Sequence, residues 1–217
     1  SKQMLVIYGG ITALVYVETD EFRKDAPFLF AMPIIALALL TSTLSMHRKQ
    51  KCFTTASFLA VALALYEFRV DRRELGLVCV LASLSHILYL FSFMCHVRRL
   101  WTGLAVVLAV YLVFLLHHCF ADLFYSIPTL VIALSLYICI TAVAVLAAGS
   151  IWQYGSKGID THQADSLRFI GLMVCLVYSS ILILNQFGTR IDKSNYTLNI
   201  LYYISQGLLF LANERAF

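Results

Sequence analysis

The chain has 217 residues, of which 61% are hydrophobic and only 13% charged, with a formal net charge of +4. A soluble domain carries about 25% charged residues, whereas a bilayer core asks for about 20 apolar residues per helix, so this composition excludes a water-soluble domain. The Lys and Arg residues lie in pairs and triplets between apolar runs, as basic clusters facing headgroups do, which leaves no nucleic-acid partner.

In chain order the apolar runs fall at 3–18, 27–46, 53–67, 75–96, 100–118, 123–149, 167–187 and 196–213. They predict an all-α fold, a polytopic eight-transmembrane-helix bundle forming one integral-membrane domain over 1–217. The breaks are charged clusters that no unpaired membrane helix tolerates: Glu18 to Asp25, His47 to Lys51 (HRKQK) and Arg69 to Glu74 (RVDRRE). Arg98 and Arg99 close the fourth run beside Trp101, an interfacial aromatic. The stretch at His117 to Asp122 is a short break and the weakest, and about Ser150 to Ser166 is the longest connection. The first run lacks a basic leader and a small-residue exit, so it does not read as a cleavable signal peptide.

An even number of spans puts both termini on one side. Nine basic residues (Lys2, Arg48, Lys49, Lys51, Arg98, Arg99, Lys157, Arg168, Arg215) fall there against seven on the other (Arg23, Lys24, Arg69, Arg72, Arg73, Arg190, Lys193). The balance points to cytoplasmic termini. The six cysteines (Cys52, Cys79, Cys95, Cys119, Cys139, Cys175) mostly sit inside apolar runs without CxxC spacing. They read as small buried hydrophobes, so no metal and no cofactor is expected.

Polar residues kept inside spans face other helices or a wet cavity. His86 and Tyr89 are three apart in the fourth run and share a helix face. His86 reads either as a donor or proton carrier in a cavity or as a histidine satisfied by a neighbouring backbone. In the seventh run Arg168 stands at the mouth, Gly171 allows close approach, and Ser179, Ser180 and Asn185 follow. Arg168 suits either a phosphate or snorkelling to the headgroups; paired serines usually back-bond to their own helix. Asn199, Tyr203 and Gln206 form a stripe in the eighth run, with Tyr202 four before Gln206; the stripe is inter-helix glue or a cavity wall. Glu67 closes the third run, either as a carboxyl held out of water in its neutral, proton-donating form or as a helix-end partner for Arg69, Arg72 or Arg73.

Taken in order, these segments resemble the YhhN family of eight-span membrane proteins, whose animal members are the lysoplasmalogenases. Gly76, Ser85, His86 and Tyr89, followed by Phe91 and Phe93, are similar to one family motif. Arg168, Gly171, Ser179, Asn185 and Phe187 are similar to a second, and Tyr202, Tyr203 and Gln206 to a third; Pro33 and Tyr137 add weaker agreement. The resemblance implies hydrolysis of the vinyl-ether bond of lysoplasmalogen to a fatty aldehyde and glycerophosphoethanolamine or glycerophosphocholine. It implies Glu67 and His86 as catalytic residues, with Arg168, Tyr89, Ser179, Ser180, Asn185, Tyr202 and Gln206 around a lysophospholipid or other membrane lipid.

Both acidic positions depart from the family pattern. Its Gly-Asp pair aligns with Tyr66 and Glu67, and the Asp of its Ser-Asp pair aligns with Ser180. Enol-ether cleavage needs one group to protonate carbon and another to orient or deprotonate water, and a carboxyl–carboxylate pair does both. A serine hydroxyl does not replace the second member. The alternative is therefore a catalytically silent relative that binds lipid as an accessory subunit of a membrane protein complex. A small transporter or channel fits less well, since paired Gly/Pro-broken helices are missing.

Overall fold

The computed structural model describes residues 2–24, 26–70, 75–121, 125–155, 162–187 and 194–216, without the side chains of 186, 187, 194 and 195. Arg72, Arg73, Lys157, Arg190 and Lys193, counted in the charge balance, lie outside the described residues, as does the side chain of Phe187. Among those described, eight α-helices follow one another: α1 Lys2–Glu18, α2 Pro27–Thr43, α3 Arg48–Val70, α4 Leu75–Phe93, α5 Thr102–Phe120, α6 Pro128–Tyr154, α7 His162–Phe187 and α8 Ser194–Ala216. A short 3₁₀ turn, Met94–His96, continues α4.

Local chemistry sets several ends. Pro27 and Pro128 open α2 and α6, where the missing N–H costs nothing. Gly155, at φ +83°, closes α6 with the left-handed residue that glycine supplies most readily. The basic cluster expected as a break before the third helix instead forms its first turn. Lys and Arg are good helix formers, and outside the hydrocarbon nothing opposes them. The same helix continues past Glu67, and α7 begins five residues before its apolar run does. Charge thus marked where the hydrocarbon ends; the helices run on beyond it.

Among the described residues, five helices, α3 through α7, are long and apolar enough to cross a membrane, and α2 is a shorter apolar helix. Two cores organise the bundle. Phe30, Ile34, Leu37, Phe58, Val61, Leu65, Tyr203 and Phe210 join α2, α3 and α8, with Tyr8 and Val15 of α1. Leu108, Leu115, Val131, Ile138, Val145, Leu172, Leu176 and Ile183 join α5, α6 and α7, with Tyr89 and Phe93 of α4. The halves meet along α3–α4 and α7–α8, which pack extensively. A Cβ at Gly171 would lie 3.1 Å from that of Leu208, so the glycine marks the close approach expected of it.

Between α1 and α2, three successive non-glycine residues, Asp20, Glu21 and Phe22, have φ of 50°, 58° and 65°. Each left-handed residue is strained. Phe22 offsets this by burying its ring completely against Tyr16, Phe30, Tyr196 and Tyr203.

Candidate functional site

Lipid tails are as apolar as leucine, so helices in a membrane gain little from burying apolar faces against each other and rely on packing and inter-helix hydrogen bonds. The polar residues of this chain follow that rule, gathering on the seam between the two cores.

Where the chain termini lie, Asn213 of α8 joins three other helices. Its amide nitrogen donates to Thr54 of α3 at 2.7 Å and to Ser92 of α4 at 3.2 Å, while its oxygen accepts from Arg168 of α7 at 3.0 Å. Arg168 is 2% exposed. It lies 3.6 Å from Asp165 one turn back, over the Phe93 ring at 4.7 Å, and against the Tyr89 hydroxyl. Arg168 therefore points into the bundle, not to the headgroups. Asp165 and Asn213 were not among the expected site residues. The Asp-x-x-Arg spacing, one helical turn, was the available signal for the first.

Toward the middle, the Ser57 hydroxyl donates to Ser85 O at 3.0 Å across α3–α4, and the Tyr89 hydroxyl donates to Leu209 O at 2.8 Å across α4–α8. His86 is buried with its ring 5.7 Å from that of Tyr137. The Ser179 hydroxyl lies 2.9 Å from Cys175 O and 2.8 Å from the Tyr137 hydroxyl. Ser180 donates to Leu176 O at 2.8 Å and accepts from Tyr111 of α5 at 2.5 Å. Both serines back-bond, and they look toward different helices. Gln206 is buried, its Nε2 4.0 Å from Cys175 Sγ.

Beyond this layer the seam opens into a cavity of about 40 Å³. Ala64, Leu65 and Phe68 of α3 line it, with Leu75, Val78, Cys79 and Ala82 of α4, Tyr137 of α6, Tyr178 and Leu182 of α7, and Tyr202 of α8. The rings of Tyr178 and Tyr202 pack at 4.7 Å. A water needs about 10–15 Å³, so the cavity holds about three waters and not a whole lysolipid.

Of the nine expected site residues, Tyr202 lines this cavity. Ser179 and His86 adjoin it through Tyr137. Glu67 is half-buried in the same turn of α3 as the lining residue Phe68 but is not itself among the lining residues. Gln206 and Tyr89 lie deeper toward the termini, and Arg168 at the far end. Asn185 is half-buried in the last turn of α7. The residues that the resemblance places around one lipid are strung along the seam, with a small apolar cavity at one end.

Arg69, first residue of the charged break expected after the third run, instead lies in the last turn of α3, 7% exposed, its guanidinium carbon 3.8 Å from the centroid of the Phe30 ring. Among the described residues no cluster of His, Cys, Asp and Glu suits a metal. Cys79, Cys119 and Cys175 are buried as expected, whereas Cys52 and Cys95 are exposed.

The family model described as the YhhN family matches residues 26–213 of the chain. No curated protein and no solved structure matches it.

Proposed function

The chain belongs to the YhhN family, and from that premise we propose that it is an eight-span membrane hydrolase of the lysoplasmalogenase type. On this reading its termini are cytoplasmic and it resides in the endoplasmic reticulum or another endomembrane. The observation that carries the reading is the cavity where α3, α4, α6, α7 and α8 meet, with Glu67 in the helical turn of α3 that also carries the lining residue Phe68. Glu67 donates a proton to the β-carbon of the vinyl ether, and the α-carbon becomes an oxocarbenium-like centre. Water adds there, and the hemiacetal releases the glycerol oxygen as an alcohol and leaves the fatty aldehyde. The hydroxyls of Tyr178 and Tyr202 are the polar groups on hand to orient that water. The volume suits the reacting end of the lipid and one water, with the alkyl chain lying between helices that part to admit it.

The test is aldehyde release from a lysoplasmalogen by the purified protein. Release well above that of Glu67→Gln is expected; equal rates would remove Glu67 from the chemistry, and no release at all would end the hydrolase reading.

A second reading rests on Ser180. Its hydroxyl, held by Leu176 O and Tyr111, stands where the resemblance expects a carboxylate, and loss of one member of an acid–base pair costs about 10²- to 10⁴-fold. A silent member binding lipid as an accessory subunit follows from this. Stoichiometric co-purification with another membrane protein, without turnover, would favour it.

A further inference from the structure

Two buried arginines compete for the charged end of a lysolipid. Arg168 precedes the cavity residues Tyr178 and Leu182 on α7 by ten and fourteen positions. At about 1.5 Å per residue this places it about 15–21 Å away along the helix. In a lysoglycerophospholipid the ether oxygen and the phosphorus are five bonds apart, at most about 7 Å when extended. A lipid whose ether lies in the cavity cannot bring its phosphate to Arg168.

Arg69 stands at the right end. It is two residues beyond Glu67 and next to Phe68, which lines the cavity. Tyr178, a cavity residue, and Tyr203 are among its neighbours. It lies in the last turn of α3. The Phe30 ring holds the guanidinium from one side, and a planar guanidinium stacked in this way is suited to bidentate phosphate recognition.

We infer that Arg69 binds the phosphate of an ether-linked lysoglycerophospholipid whose headgroup lies at the α2–α3 end of the bundle. The assignment rests on the reading that the ether occupies the cavity beside Glu67, and binding tests it separately from turnover. The probes are a saturated 1-O-alkyl lysophosphocholine, which has no vinyl bond to cleave, and the matching 1-O-alkylglycerol without phosphate, titrated against the full chain in nanodiscs.

The wild type and Arg23→Gln, an exposed arginine near the α1 end of the same face, should prefer the phospholipid by about 10- to 100-fold, the worth of a charge-assisted hydrogen bond. Arg69→Met should bind both probes alike, with unchanged affinity for the alkylglycerol showing an intact fold, and Arg69→Lys should keep part of the preference. Preference surviving in Arg69→Met, or absent from the wild type, overturns the inference. So does displacement of the lipid probe by equimolar inorganic phosphate, which would mean a site for free anion. Should Arg69→Met lose both probes, Arg69→Lys decides: full wild-type preference there overturns the assignment of a bidentate site, and partial loss with intact alkylglycerol binding supports it. Aldehyde release without an Arg69 effect on KM leaves the hydrolase reading standing alone; phosphate preference without aldehyde release does the reverse.

Discussion

Replacing Arg168 with Met should destabilise the bundle by about 4 kcal/mol, mostly through what it leaves behind. The side chains of Arg168 and Asp165 are 2% and 5% exposed, and removing one partner of a buried pair costs about 3–5 kcal/mol because the other charge is stranded. The lost bond to Asn213 adds little, since inter-helix hydrogen bonds in membranes average about 0.6 kcal/mol. The ring contact with Phe93 adds at most about 2 kcal/mol. Removing the stranded carboxylate as well should therefore restore stability, because apolar replacement of a whole buried pair is often near neutral. The double variant Asp165→Leu/Arg168→Met should recover about half of the loss or more. Reversible unfolding in mixed micelles, followed by helicity, measures all four members of the cycle. A single variant within about 0.5 kcal/mol of wild type, or a double variant no better than the single, refutes the reasoning and returns Arg168 to the pool of ligand-binding groups.

Three further outcomes are expected. Gly149→Leu should cost about 1–3 kcal/mol or more through overpacking, because even a Cβ there collides with Leu104 and comes within 2.8 Å of Phe169; unfolding of the variant checks it, and a neutral effect would mean α5 is not held as described. Ala64→Leu, which fills the cavity, should leave stability equal or higher while weakening lysolipid binding at least about tenfold; titration with the alkyl lysophosphocholine reads it, and unchanged affinity would move the ligand elsewhere. Cys52 and Cys95, both exposed at the end of the bundle that carries the termini, should react with an impermeant maleimide from one side of oriented vesicles, while Cys79, Cys119 and Cys175 stay protected. Labelling of Cys52 and Cys95 from opposite sides would break the proposed topology.

The apolar run lengths and the charge between them were sufficient to read a helical membrane protein, the order of its helices and, through spaced motifs, its family. These properties are local: a run either is long enough to satisfy its backbone in lipid or it is not. Inward-facing polar residues were legible for the same reason, and Tyr89, His86, Ser179, Tyr202 and Gln206 are all buried on the seam. Sequence spacing says which residues share a face of one helix, but not how far that helix slides or turns against its neighbours. Only packing decided that Asn213 meets Arg168, Thr54 and Ser92, and that Ser180 looks to Tyr111 while Ser179 looks to Tyr137. Arg69 changed most between the two views. Its charged neighbours marked it as loop, whereas the Phe30 ring, brought by α2 from 39 positions away in the chain, gave its guanidinium a buried place beside the cavity.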